Sequence, residues 1–389
     1  MSLVLDEHRR YLADVNRIER FRAALNAAVQ PGAVVLDLAC GTGILGFLAC
    51  DAGARHVYAV DAGPIIDIAR RLARANGYAD RITFIRELST RVVLPERVDL
   101  VVCDQIGHLG IEAGAFEFLV DARRFLKPDG RTIPAALTFM VAPIESPELR
   151  KQLTFWTSKP ANLDVSAGLE IALNTGYPFA VDCERLLAEP RPLSTSPLPP
   201  SFLGTIHGEI TARVVRAGVL DGICAWFDAE LVPGVRMTNA PGHADRIDRR
   251  QVLLPIEQPV HVEPGDRVTI RMSMLPPSLV NWQVTVATPR SESRSFSHST
   301  FRGMLMSVED LTRTNPETCP TLTPAGLARR TVLDLCDGHR SLRTVQDEVY
   351  ARHPDFFSTH NDASTFVAEV VTRYSIADAP LPNRRSGDR

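Results

Sequence analysis

Four groups of residues in this 389-residue chain have types and spacings suited to chemistry. The first is the apolar run Val34-Val35-Leu36-Asp37-Leu38, which opens into the small-residue turn Ala39-Cys40-Gly41-Thr42-Gly43. Small residues after a buried strand let a ligand approach the backbone, and the helix that follows offers unpaired N–H groups. The second is Asp61-Ala62, at the end of the next apolar run, His56-Val57-Tyr58-Ala59-Val60. A carboxylate there can accept hydrogen bonds from both hydroxyls of a ribose. The third is the stretch Cys103–Ala113, which carries Asp104, His108 and Glu112 in one loop. Two carboxylates and an imidazole can hold a cation or move a proton. The fourth is a set of arginines, Arg17 near the N-terminus and Arg249-Arg250 far downstream, whose guanidinium forks suit a carboxylate.

The form of the turn indicates what would bind there. Its D-x-x-x-G-x-G spacing, with Asp61 in register, resembles class I methyltransferases that use S-adenosylmethionine (SAM). That ligand has no phosphate, and its methionyl end lies along the turn. A nicotinamide-dependent oxidoreductase is the weaker reading. The resemblance implies that Asp37, Ala39, Gly41, Thr42, Gly43, Asp61, Ala62 and Asp104 contact the cofactor.

A closer resemblance is to the protein arginine methyltransferases. It is carried by Tyr11-Leu12-Ala13-Asp14 with Arg17, by the block from Leu36 to Gly63, by Phe125-Leu126-Lys127-Pro128-Asp129-Gly130, and by Trp226-Phe227-Asp228. It covers about residues 5–290. It implies that Arg17 pairs with the SAM carboxylate, that a β-barrel substrate domain follows the cofactor domain, and that an arm near 158–190 forms a homodimer. The family's two substrate-binding Glu residues fall on Asp104 and on Ala113, with Glu112 one position early. Its Thr-His-Trp run falls on Ile247-Asp248-Arg249, so the family His is lost and Arg249 stands in the same run. Asp104, Glu112, His108 and Arg249 are therefore the expected catalytic residues. A guanidinium held by Asp104 and Glu112, or a carboxylate held by arginine, are the competing acceptors. A SAM-fold protein that binds a peptide without catalysis is a third reading.

Alternating strands and helices from 34 to 134 predict a parallel, doubly wound sheet that would carry these groups at the strands' carboxyl ends. One amphipathic helix is expected over 6–29, and another over 117–130 with a Pro-Asp-Gly exit. Strand-like runs between Pro/Gly turns predict an antiparallel β domain over 135–300, with Trp226 and Trp282 in its core and a Ser-rich linker at 291–301. Residues 301–378 turn helical. The run Leu333–Gly338 with Val345 and Glu348 resembles the small winged-helix PqqD-like domains, which implies leader-peptide binding, with strands supplied by 303–322. The tail 379–389 is expected to be disordered.

Composition narrows the class. The net charge is -3 with 45% hydrophobic residues, which argues for a globular chain and against a globally basic nucleic-acid binder. Seven scattered Cys fit neither a disulfide framework nor a zinc site, and no 18-residue apolar run or secretory signal is present, so a cytoplasmic protein is expected, while the resemblance implies a peptide or protein substrate. Of the 43 basic residues only Lys127, Lys151 and Lys159 are lysine. Coding bias explains most of that surplus of arginine, with Arg17 and Arg249 the two that have a stated use.

Overall fold

The computed structural model describes residues 4–201, 203–289, 291–305, 312–313 and 316–375. The chain forms two compact units, residues 1–305 and 306–389.

In the first unit the strands β1 (Val34–Leu38), β2 (His56–Val60), β3 (Ile82–Ile85), β4 (Val98–Val102) and β5 (Leu126–Ile133) make one parallel sheet in the order β3-β2-β1-β4-β5. Helices α3 (Ile44–Asp51), α4 (Ile66–Ala75) and α5 (Ala115–Ala122) connect them. Every residue of β1 is buried, as expected of a central strand covered on both faces. The register sets Leu38 beside Val60, and Asp37 beside Val102. The turn after β1, Asp61 after β2 and Asp104 after β4 therefore emerge along one edge of the sheet.

Two expected helices are corrected. The one over 6–29 is two, α1 (Val4–Ala13) and α2 (Val15–Ala28), broken at Asp14. The Asp14 carboxylate accepts the Arg17 N–H and caps α2, so a new helix starts there despite the continuous apolar pattern. The helix over 117–130 stops at Ala122 and passes through a single 3-10 turn into β5. Pro128 lacks an N–H, and β5 is an edge strand whose pairing with β4 slips between Val98 and Leu100, so the strand accommodates it.

The β domain is antiparallel, as expected, but its strands are hydrogen-bonded into two sheets. The first runs β7 (Tyr177–Phe179), β12 (Gln251–Val262), β10 (Gly218–Val232), β6 (Ala136–Ile144), β8 (Arg191–Pro197), with β11 (Val235–Thr238) also on β10. The second runs β15 (Ser291–Ser299), β14 (Leu279–Thr288), β13 (Arg267–Leu275), β9 (Ile206–Arg213). Residues 291–299 are thus a strand and not a linker. Phe296 and His298 alternate inward on it, which the abundant serines obscure. Trp226 and Trp282 are buried, and the Trp282 indole donates to the Pro255 carbonyl at 2.7 Å.

The change of fold type near residue 134 does not divide the core. One buried cluster runs from Phe21 and Leu36 through Phe116 and Phe139 to Trp282. Of the stretch 158–190, Tyr177–Phe179 is stitched to β12, and Leu186 and Ala188 bridge to Ile144 and Val214. Residues 160–173 form short helical turns that leave Leu163 well exposed.

The second unit contains helices Pro324–Leu335, Leu342–Arg352 and His360–Tyr374 around Val332, Val345, Val349 and Val367. No strand occurs among its described residues. Residues 306–311, 314–315 and the tail 379–389, on which part of the sequence reading falls, lie outside the described residues.

Candidate active site

A cleft of about 840 Å³ opens at the carboxyl edge of the parallel sheet. It is bounded by α1 and the start of α2, by the turn 39–45, by the loop after β4, and by residues 248–250.

The turn is shaped for close approach. Ala39, Gly41 and Gly43 all have positive φ, at 57°, 55° and 80°. A Cβ on Gly41 would stand 2.7 Å from the His8 ring of α1. Asp61 is already held by backbone: its two oxygens accept the N–H groups of Gly41 (2.8 Å) and Gly63 (2.7 Å). Ala62 between them is exposed, and Thr42 is buried. Asp37 accepts the Gly46 N–H at 2.8 Å, while its other oxygen is buried with no partner. Burial pushes this carboxyl up to about 7. Gly46 also completes a G-x-G-x-x-G spacing with Gly41 and Gly43, so glycine spacing alone does not separate a dinucleotide site from a SAM site.

The far side of the cleft is built around Asp104. The Arg17 Nε donates to Asp104 Oδ2, and both side chains are almost wholly buried, at 7% and 5% exposure. Arg249 is the second cation. Its side chain is 9% exposed, its Nη2 lies 3.8 Å from Asp104 Oδ2, and its Nη1 donates to the Gly107 carbonyl at 3.3 Å. The Tyr11 ring lies against both guanidiniums, 5.3 Å from Arg17 and 5.8 Å from Arg249. Burial pushes the Tyr11 phenol up, and the Arg249 charge opposes that. His108 borders the cleft, with Nδ1 3.2 Å from the Arg250 carbonyl oxygen. Arg250 itself is exposed.

Glu112 does not face the cleft. Its carboxylate accepts the N–H groups of Leu109 (2.8 Å), Gly110 (3.0 Å) and Ile111 (3.1 Å). Ile106, Leu109 and Ile111 are buried beneath it, so the loop is folded around this carboxylate. The expectation that Asp104 and Glu112 grip a substrate together does not match this arrangement.

Several positioning residues have no signature in the sequence. Asn239, fully buried, donates from Nδ2 to the carbonyls of His108 (2.9 Å) and Arg250 (2.8 Å) and accepts the Phe227 N–H at 3.1 Å. Strand β10 pairs with β12 up to Ala225 and with β11 from Asp228. Asn239, with the Thr238 hydroxyl on the Phe227 carbonyl, fills the gap between them. Gln251 donates to the Asn239 carbonyl and accepts the Val181 N–H. On the other flank the Asp14 carboxylate also accepts the Asp248 N–H at 2.8 Å, tying the start of α2 to the segment that delivers Arg249. Only the Asp14 cap was detectable in the sequence, three residues before Arg17.

Among the described residues there is no group of side chains suited to a metal ion, and no helix is long and apolar enough to cross a membrane.

Residues 35–130 match the model of a methyltransferase domain. The chain is 27% identical over 234 residues to a probable protein arginine N-methyltransferase 6 of Arabidopsis thaliana, covering 57% of this chain and about half (54%) of that relative. It is 29% identical over 273 residues to an arginine N(omega)-methyltransferase of Streptomyces achromogenes subsp. streptozoticus, covering 68% of this chain and 75% of the relative. Its fold matches a Trypanosoma brucei PRMT1 enzyme–prozyme heterotetrameric complex with AdoHcy, with a TM-score of 0.68 and 22% identity over 75% of this chain and 97% of that one.

The chain therefore carries a SAM-dependent methyltransferase domain, and S-adenosyl-L-methionine is its cofactor. In fold and sequence it is similar to the protein arginine N-methyltransferases.

Proposed function

We propose that this protein methylates a side chain of a peptide or protein that enters the cleft over Asp104. The observation that carries this reading is the buried Arg17–Asp104–Arg249 cluster, which lies at the carboxyl end of β4 against the glycine turn. SAM supplies a methyl group on a sulfonium, which makes the methyl carbon electrophilic. The residues present fit it: a left-handed glycine turn whose residues line the cleft, an oriented Asp61, and a buried guanidinium on Arg17 for a carboxylate. The rest of the site binds and orients. Helix α1 lies over the turn, and the Glu112-folded loop sets Asp104 and His108 facing the cleft. Holding donor and acceptor in line is where such a site gains most of its rate.

The test is mass spectrometry of a peptide mixture incubated with SAM. One added methyl, localised to a side chain and lost in Asp104→Ala and Asp104→Asn proteins, is the expected result. SAM binding without methyl gain on any peptide would refute the reading.

We also assign recruitment of the peptide, in the manner of a leader-binding domain acting on a natural-product precursor, to residues 301–378, and self-association to the arm near 158–190. Support for the first is that the helices 324–374 have their own apolar core, and for the second that Leu163 is largely exposed. Truncation after Leu305 should weaken peptide binding, and sedimentation equilibrium should show a dimer. Unchanged binding or a monomer would remove the respective assignment.

A further inference from the structure

We propose that the group methylated in this cleft is a carboxylate, held by Arg249, and not a guanidinium. The proposal rests on the peptide-methylation reading and deepens it.

The first argument is charge. The buried floor of the cleft holds two guanidiniums, Arg17 and Arg249, and one carboxylate, Asp104, with side-chain exposures of 7%, 9% and 5%. Glu112 adds nothing to the acceptor side, because its carboxylate is spent on three backbone N–H groups of its own loop. With the cofactor's carboxylate on Arg17, a guanidinium substrate would still be a second cation beside Arg249 with no carboxylate of its own, and unpaired buried charge is costly. A carboxylate brings the missing anion. The cofactor's ammonium can use the free Oδ1 of Asp104, so that oxygen does not call for a cationic acceptor.

The second argument is the donor inventory. A guanidinium has five N–H donors. Arg249 makes one hydrogen bond, at 3.3 Å to the Gly107 carbonyl, and a loose 3.8 Å ion pair. Its remaining donors are uncommitted beside the cleft, and the Tyr11 ring and Gly107 fix the plane of the fork. This is what bidentate capture of a carboxylate needs.

The third is the proton balance. A guanidinium nitrogen must shed a proton as it is methylated, and both carboxylates of the loop are committed, Asp104 Oδ2 to Arg17 and Glu112 to its own backbone, which leaves the His108 imidazole alone to take it. A carboxylate is already ionised at neutral pH. One of its oxygens forms a bond to the methyl carbon as the carbon–sulfur bond breaks and that electron pair stays on sulfur. The products are a methyl ester and a neutral thioether, and no proton is released.

The test uses the full-length chain, SAM with a tritiated methyl group, and two synthetic pools of blocked random peptides. One pool contains Asp and Glu but no Arg. The other contains Arg but no Asp, Glu or free C-terminus. The expected result is label in the acidic pool that mild base releases as methanol. Base-stable label in the arginine pool overturns the proposal and leaves peptide methylation standing. No label in either pool overturns both. The unmethylated parent of a peptide that takes up label is then titrated calorimetrically, without cofactor, into wild-type, Arg249→Gln and Arg249→Lys proteins. Loss of a charge-assisted contact predicts binding weakened about tenfold to a hundredfold in Arg249→Gln, partial recovery in Arg249→Lys, and unchanged SAM affinity in both. Unchanged peptide affinity in both variants would refute the role of Arg249.

Discussion

Asn239→Ala is the substitution that most directly tests how the acceptor side is held together. Asn239 is fully buried and serves three backbone groups: it accepts from the Phe227 N–H and donates to the carbonyls of His108 and Arg250. Alanine would orphan them unequally. The Arg250 carbonyl keeps the His108 ring as a partner at 3.2 Å. The Phe227 N–H and the His108 carbonyl lose the partner shown for them, at about 1–3 kcal/mol for each buried unsatisfied group. The expected destabilisation is thus about 2–6 kcal/mol. It should appear in urea denaturation as a lower midpoint with unchanged slope. The same change frees the loop carrying His108 from the segment carrying Arg249, so the KM for the methyl acceptor should rise while SAM affinity holds. Asn239→Asp separates the two roles. It retains the acceptor for Phe227 but sets a carboxylate against two carbonyl oxygens, so it should be no better than alanine. A loss below about 1 kcal/mol with an unchanged acceptor KM would refute the view that this amide joins the two loops.

Two further outcomes follow from the same geometry. Asp37 is protonated up to about pH 7 in the folded protein, against 3.8 as its ordinary value. Across that window the folded state keeps a proton that the unfolded state has released, so stability must fall as pH rises towards 7 and level off above it. About three pH units correspond to at most about 4 kcal/mol. In Asp37→Asn, which can still accept the Gly46 N–H, this slope should vanish when the melting temperature of the cofactor-free protein is followed with pH. A persistent slope would show that another group causes it. Glu112→Ala removes the acceptor of three N–H groups and should cost about 2–4 kcal/mol together with activity, while Glu112→Gln recovers part of both. Lost activity with an unchanged melting temperature would make Glu112 a substrate contact instead.

The cofactor half was legible because its signals are local. The apolar runs, the Asp37-to-Gly43 turn and Asp61 each follow from residues adjacent in the chain, and the strand register brings Asp61 and Asp104 to one edge. The misread elements failed where a tertiary or capping interaction outweighed periodicity. Asp14 breaks an apolar helix pattern by capping its second half, and Phe296 and His298 turn a serine-rich stretch into a strand. The two arginines singled out of a surplus in the sequence, Arg17 and Arg249, do meet, around one carboxylate.

The sequence by itself determined the residue types: a glycine turn, an acid at the end of each neighbouring strand, and an arginine in the run where a histidine is lost. Only the tertiary structure decided their use. Glu112 sits eight positions after Asp104, a spacing compatible with either a shared substrate or a closed loop. The choice fell to three backbone N–H groups that converge on one carboxylate once Ile106, Leu109 and Ile111 are buried. Arg249 lies more than two hundred residues from Arg17. No local pattern can report that both are desolvated against Asp104, because that depends on an amide, Asn239, bridging two loops that are remote in the chain.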